Sequence, residues 1–154
     1  MTDQPDSPAE LKARALRYLV RREHSRAELA RKLAPHAESA AALEQVLDLL
    51  VEKKSQSDRR YAEERVRVLS RKYGPARIRH ELRAKGIAGE IVASIRADGE
   101  LERAREILNR RYRQPPATRE ERAKRARFLQ GRGFSSDVIV RLVLDRGDPP
   151  EPHI

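Results

Sequence analysis

Two stretches of the chain, RREHSRAELARKL (21–33) and RKYGPARIRHEL (71–82), carry nearly the same pattern. With an offset of 49 residues, three small or apolar positions coincide: Ala27 with Ala76, Leu29 with Ile78, and Leu33 with Leu82. The larger apolar positions of each stretch lie four residues apart, which places them on one face of a helix. The pattern therefore predicts the same turn and short helix twice.

The start of each predicted helix carries residues that favour a helix N-terminus. Ser25 is a good N-cap in the first copy, and Pro75 suits the first turn of the second. Apolar residues at helical spacing precede and follow each copy, and Asp58 is positioned to cap the helix before the second. The closing helix of the second unit is predicted from three apolar positions: Ile87, Ile91 and Ile95.

A weaker third copy follows. LQGRGF (129–134) repeats the pattern of LRAKGI (82–87), and Gly86 and Gly133 lie where C-cap glycines end helices. A Pro-Pro break at 115–116 accompanies an insertion in this copy. The sequence thus contains three related helical units.

These units predict an all-α protein of three tandem three-helix repeats at 9–54, 57–98 and 99–146. Because each unit alone buries little surface, we expect the repeats to stack in series as an elongated, curved array. The polar and Pro-containing ends, 1–8 and 147–154, are predicted to be disordered.

The composition narrows the classes of function. The 154 residues contain no cysteine, so disulfides and thiolate metal sites are excluded and a cytoplasmic location is expected. No apolar run approaches the roughly 18 residues of a membrane span. The net charge is +10, and most of the excess lies after residue 54. Such a basic surface suggests a polyanion or an acidic protein as partner, although a solvated charged face explains it equally simply.

Candidate contact residues are cations that recur once in each unit or cluster in the third. They comprise pairs at the ends of first helices, residues on or beside the second helices, and the run REERAKRARF (119–128). The set is Arg21, Arg22, Arg26, Arg71, Lys72, Arg77, Arg79, Arg110, Arg111, Lys124, Arg125 and Arg127. A structural alternative remains for each. Cations near helix C-termini also stabilise the helix dipole, which applies to the pairs and to the basic run. Arg26, Arg77 and Arg79 could equally be solvated helix surface.

The sequence contains no pattern of a catalytic or cofactor site. The four histidines lack metal-ligand spacing, and no phosphate-binding GxxxxGK[ST] loop or GxSxG elbow occurs. Glu23, His24 and Ser25 are triad residue types, but neighbours at one helix end cannot assemble a triad. We therefore expect neither an enzyme nor a bound cofactor or metal.

The segments YLVRREHSRAELARKL (18–33) and SDRRYAEERVRVLSRKYGPARIRHELRAKGI (57–87) resemble the first two repeats of the RecX family. The resemblance covers residues 15–98 well and 99–146 loosely. It implies three tandem three-helix repeats in a cytoplasmic, non-enzymatic protein that binds the RecA recombinase and its filament on single-stranded DNA. Members of the family restrain filament growth, ATP hydrolysis, strand exchange and co-protease activity, from the filament groove or its ends.

Two other functions remain open at this stage. The basic charge and the helix–turn–helix-like units also fit a stand-alone, non-specific DNA-binding repeat protein, whose affinity would fall steeply with salt. A scaffold for an unrelated acidic partner is the third. In each case we expect a monomer.

Overall fold

The computed structural model describes residues 4–96 and 98–144, which form helices and connecting turns without a β-strand among them. The all-α prediction is therefore confirmed for these ranges. The helices, in chain order, are α1 Pro8–Arg21, α2 Arg26–Leu33, α3 Ala40–Glu52, α4 Asp58–Leu69, α5 Pro75–Ala84, α6 Gly89–Ser94, α7 Glu100–Arg111, α8 Arg119–Gly131 and α9 Ser136–Ile139. A 3₁₀ turn, Ala34–His36, follows α2, and a π-helical segment, Val140–Leu144, continues α9.

Hydroxyl side chains fix where most of these helices begin. In each case the oxygen accepts the backbone N–H three residues further on, which satisfies one of the unpaired amides of the first turn. The capping residues are Ser7, Ser25, Ser39, Ser57, Thr118 and Ser135. The prediction for Ser25 is confirmed. The prediction for Asp58 is wrong, because Ser57 caps α4 and the Asp58 carboxylate accepts the Arg26 N–H of α2 at 2.8 Å.

Three helices end in the same reversal. After α5, the N–H of Ile87 reaches the carbonyl of Leu82 and the N–H of Gly86 reaches Arg83, which is a Schellman motif. Gly133 ends α8 in the same way, and both glycines have positive φ, 82° and 91°. Lys54 occupies the equivalent position after α3 with φ 62°. The predicted C-cap glycines are thus confirmed.

The chain divides into two compact units. Of the described residues, the first contains 4–65 and 82–94, and the second contains 66–81, 95–96 and 98–144. Segment 57–98, predicted as the second repeat, contributes residues to both.

Each unit has its own apolar core. Helices α1, α2 and α3 bury Leu11, Ala15, Leu29, Leu33, Val46, Leu47 and Leu50 in the first. Helices α7 to α9 with the π-helical segment bury Ala104, Ile107, Leu108, Leu129, Phe134, Val138, Ile139 and Val143 in the second.

One helix junction recurs in both units. In the first unit, the hydroxyl of Ser25 at the start of α2 donates to the carbonyl of Lys85, beside Gly86, at 3.3 Å. In the second unit, the N–H of Gly74 before α5 donates to the carbonyl of Arg132, beside Gly133, at 2.7 Å. A second-helix N-terminus therefore packs on the Schellman turn of the next copy of the repeated pattern. This contact is the structural counterpart of the sequence repeat.

Two expectations are corrected. Residues 4–8 are not disordered, because Asp6 pairs with Arg14 at 2.8 Å and Ser7 forms a capping box with Glu10; residues 1–3 and 147–154 lie outside the described residues. Helix α6 has only six residues, and it buries Val92 rather than Ile91. The Schellman turn at Gly86 takes Ile87 out of the helix, so the three isoleucines do not share one helical face.

Candidate partner-binding cleft

The ends of two first helices meet in the second unit. Arg71 and Lys72 lie just beyond α4, and Arg110 and Arg111 are the last residues of α7. Cations at these positions are favoured by the partial negative charge of a helix C-terminus. Two of the predicted basic pairs are thereby brought together.

These pairs line a cleft of about 460 Å³. Its wall comprises Arg71, Lys72, Tyr73, Ile107, Arg110, Arg111, Phe128 and Arg132. Five of the eight side chains are cationic and none is acidic. We call this feature the basic cleft.

Specific contacts hold the basic cleft together. The Arg110 Nη2 donates to the carbonyl of Arg71 at 2.9 Å, and the Arg132 Nη1 donates to that of Lys72 at 3.3 Å. The Arg132 guanidinium lies 5.5 Å from the ring centre of Tyr73 and 5.1 Å from that of Phe128. Arg111 lies 5.4 Å from the same Phe128 ring. The aromatic rings therefore position guanidinium groups by cation–π contact, and are not free to stack on bases.

The cations of the basic cleft form no ion pair within the part of the chain that the structure describes. Among the described residues, no carboxylate lies within salt-bridge distance of its five cations. Four of them, all except the half-buried Arg132, are exposed. Like charges gathered around one concavity raise its positive potential and attract anionic groups. The geometry is suited to a polyanion or to a cluster of carboxylates.

The predicted cations of the first unit behave differently. Arg22 forms a bidentate pair with Glu28, with nitrogen–oxygen distances of 2.9 and 2.7 Å, and this pairing lowers the pKa of the Glu28 carboxyl below its usual value. Arg26 reaches Glu44 at 2.6 Å and Asp48 at 2.7 Å, which ties α2 to α3. These two guanidinium groups have internal structural partners. Arg21 is exposed at the end of α1.

The side chains of Arg77 and Arg79 contact neighbouring groups within the second unit. The Arg77 guanidinium lies 4.5 Å from the Tyr73 ring centre and donates to the carbonyl of Gly131 at 3.3 Å. Arg79 lies 3.5 Å from the carbonyl of Ile95. Both residues therefore make local contacts, and neither lines the basic cleft.

The cationic side chains of helix α8 differ in their exposure. Lys124 and Arg127 are exposed and lie outside the basic cleft, whereas Arg125 is only 9% exposed and stacks 4.4 Å from the Tyr112 ring centre. The charge run suggested that Arg125 belongs to an open basic face, but the burial of this residue shows that it does not.

Sequence reasoning missed Arg132, because LQGRGF was interpreted only as a helix stop. The signal was the match of Arg132 with Lys85, a second cation at the same position of the repeat.

A buried histidine lies at the turn between α1 and α2. The Nδ1 of His24 lies 3.0 Å from the carbonyl of Arg22, and its Nε2 lies 2.9 Å from the Lys32 ammonium. The first contact requires a proton on Nδ1 and the second an unprotonated Nε2, so the ring is neutral. Burial lowers the pKa of His24 below its ordinary value. The role of this histidine is structural, because every polar atom of the ring is engaged.

The described ranges contain no group of three or more His, Asp or Glu side chains able to hold a metal ion. None of their helices has both the length and the apolarity needed to span a bilayer.

Comparison with known proteins identifies the family. Three family models match in order: the RecX first three-helix domain at residues 12–50, the second at 57–94 and the third at 98–143. The regulatory protein RecX of Herbaspirillum seropedicae is 47% identical over 152 residues, covering 94% of this chain and 99% of that protein. The RecX of Leptothrix cholodnii is 51% identical over 146 residues, covering 93% and 92%.

Solved structures have the same fold. The crystal structure of RecX from Lactobacillus salivarius matches with a TM-score of 0.76 and 24% identity, covering 90% of this chain and 95% of that one. A second crystal structure, that of a regulatory protein RecX, matches with a TM-score of 0.70 and 27% identity, covering 89% of this chain and 74% of that one. With its three matched three-helix domains and these full-length relatives, the chain belongs to the RecX family of regulatory proteins.

Proposed function

We propose that this protein is a non-enzymatic inhibitor of the RecA recombinase that acts in the cytoplasm. It binds the RecA filament on single-stranded DNA, in the filament groove or at its ends, and restrains filament growth and ATP hydrolysis. Strand exchange and co-protease activity fall as a consequence. Membership of a family of regulatory proteins supports the regulatory role.

The observation that carries the site is the positive charge of the basic cleft. Five cations surround a single concavity of about 460 Å³ without a carboxylate in its wall. The filament offers two anionic surfaces of the required kind, the DNA phosphates and acidic side chains of RecA. The cleft is suited to either surface, because its like charges reinforce one another's attraction for an anionic group.

A stand-alone DNA-binding protein is the second candidate, and the net charge of +10 favours it. If all five cations neutralise phosphates of a single strand, the affinity should fall about a hundredfold between 50 and 200 mM salt. Binding that is confined to low salt would leave RecA as the relevant partner.

The test is the rate of ATP hydrolysis by RecA from the same organism, with this protein added after filaments have formed on single-stranded DNA. If the rate falls when far less than one copy of this protein is present per RecA, the filament ends are blocked. If the rate falls only near one copy per RecA, the protein lines the groove. An unchanged rate with intact DNA binding would exclude the proposal and favour the second candidate.

A further inference from the structure

We propose that a second pocket of the second unit, next to the Pro115–Pro116 turn, binds one nucleotide of a single-stranded nucleic acid. The inference rests on the proposed function, because it assigns a direct DNA contact to the same regulator. The pocket has a volume of about 270 Å³ and lies between the end of α7, α8 and the π-helical segment. We call it the Arg125 pocket.

The first argument is the state of Arg125 itself. The residue is only 9% exposed, and its Nε has no hydrogen-bond partner. The guanidinium lies 4.4 Å from the centre of the Tyr112 ring. A buried guanidinium N–H without a hydrogen-bond acceptor is costly, and that cost falls when an anionic acceptor enters the pocket that the side chain lines. The Arg113 side chain adds a second cation to the same wall.

The second argument concerns the kind of anion. A volume of about 270 Å³ is larger than a lone carboxylate or phosphate requires, so the pocket has room for an anionic group with an attached ring. Asn109 and Gln114 place two amide side chains in the wall, and amides pair with the donor and acceptor edges of bases. Pro115 and Pro116 supply an apolar wall against which a flat ring packs. These features together favour a nucleotide over an acidic side chain.

The third argument is continuity with the basic cleft. Arg110 and Arg111 line the cleft, and Tyr112 and Arg113 follow directly in the chain and line the Arg125 pocket. Tyr112 and Phe128, one ring from each wall, meet edge to face at 6.0 Å. A strand whose phosphates lie along the cleft would therefore reach the pocket within the same unit. A single strand is required, because the bases of a duplex are already paired.

Asn109 provides a direct probe of the Arg125 pocket, because it is the only asparagine in the chain. Its side-chain amide gives a unique pair of signals in a ¹⁵N-correlated NMR spectrum of the full-length protein. We expect thymidine 5′-monophosphate to shift this pair in a saturable way. Inorganic phosphate and N-acetylaspartate should shift it less and at higher concentration.

Two variants test the assignment by affinity for a short oligothymidylate. Arg113→Gln changes an exposed side chain and should weaken binding about tenfold, within the range of one stacked and paired base. Arg125→Lys retains the charge but loses the planar fork, and should weaken binding similarly while the far-UV circular dichroism stays unchanged. Arg141→Gln, an exposed change on the π-helical segment outside the pocket wall, is the control and should bind as the wild type.

The proposal is overturned if the Asn109 signals do not move with thymidine 5′-monophosphate, or if phosphate or N-acetylaspartate binds as tightly. Retention of wild-type affinity by Arg113→Gln would overturn it as well. These outcomes do not touch the RecA assay, since both measurements use the protein alone. The loss of the nucleotide site and the loss of the proposed function are therefore distinguishable.

Discussion

The backbone of Gly74 lies against the backbone of Gly133. A Cβ atom on Gly74 would lie 2.5 Å from the Gly133 carbonyl oxygen and 2.6 Å from its carbonyl carbon. The amide of Gly74 donates to the neighbouring carbonyl of Arg132, and that of Ala76 donates to Gly133 at 3.1 Å. This junction brings Arg132 to Lys72 and so builds one side of the basic cleft. The fold and the candidate site thus depend on the same contact.

We predict that Gly74→Ala lowers the free energy of unfolding by about 1–3 kcal/mol, because backbone atoms that cannot rotate away obstruct the added methyl group. Gly131→Ala is the matched control. A Cβ there meets nothing within 4 Å, and the residue is helical, so this change should stabilise the protein by about 0.5–1 kcal/mol. Urea unfolding measures both, and equal effects would contradict the close approach of the two glycines.

The turn after α3 predicts a stabilising change. Lys54 has φ 62°, a conformation that is unfavourable for a residue with a side chain, and its side chain is exposed. We expect Lys54→Gly to raise the free energy of unfolding by about 1 kcal/mol. Lys53→Gly, one residue earlier with φ −78°, should lower it instead. Thermal unfolding measures both variants, and changes of the same sign in their free energies of unfolding would contradict the prediction.

The features that were predictable from the sequence are the local ones. Ser25 and the C-cap glycines were predictable, since caps depend on residues close in sequence. The ion pairs of Arg26 were not, because Glu44 and Asp48 belong to another helix and no local pattern links them. Arg125 illustrates the same limit, since a charge run does not reveal which cation faces inward. The paired cations of the basic cleft were predictable from the sequence. Their convergence on one concavity, and the contribution of Arg132, depend on tertiary packing.

The buried His24 predicts a pH dependence of stability. Its pKa is lowered in the folded state relative to the ordinary value of 6.5, so the unfolded chain binds the proton more tightly. The free energy of unfolding should therefore hold above about pH 7 and decrease as the pH falls below about 6.5. Burial is the main cause, and the adjacent Lys32 and Arg22 charges add to it.

Urea unfolding at pH 7.5 and pH 5.5 measures this effect above the range in which carboxylates titrate. We expect His24→Gln to reduce the difference between the two pH values. His80→Gln, at an exposed histidine on α5, is the matched control for the substitution itself. An NMR titration that places the His24 pKa above 6.5 would contradict the assignment.

Arg26, which forms ion pairs within the first unit, and Arg71, which lines the basic cleft, should differ in their effects on stability and on function. Arg26→Gln removes ion pairs to the largely exposed Glu44 and Asp48, and should lower the free energy of unfolding by about 0.5 kcal/mol. Its effect on RecA should remain that of the wild type. Arg71→Gln should change stability by less than about 0.5 kcal/mol and weaken the inhibition of RecA. Reversal of this pattern, with Arg26 essential for inhibition, would relocate the contact surface to the first unit.

The central claim is that the basic cleft binds the RecA filament. The direct measurement compares Arg71→Glu/Lys72→Glu with Arg31→Glu/Arg105→Glu, an equal charge change at two exposed arginines outside the cleft. Both are titrated into preformed filaments while the rate of ATP hydrolysis by RecA is followed. We predict that the cleft variant needs at least about ten times more protein than the wild type for the same inhibition, whereas the control inhibits normally. Equal inhibition by the two variants would contradict the account.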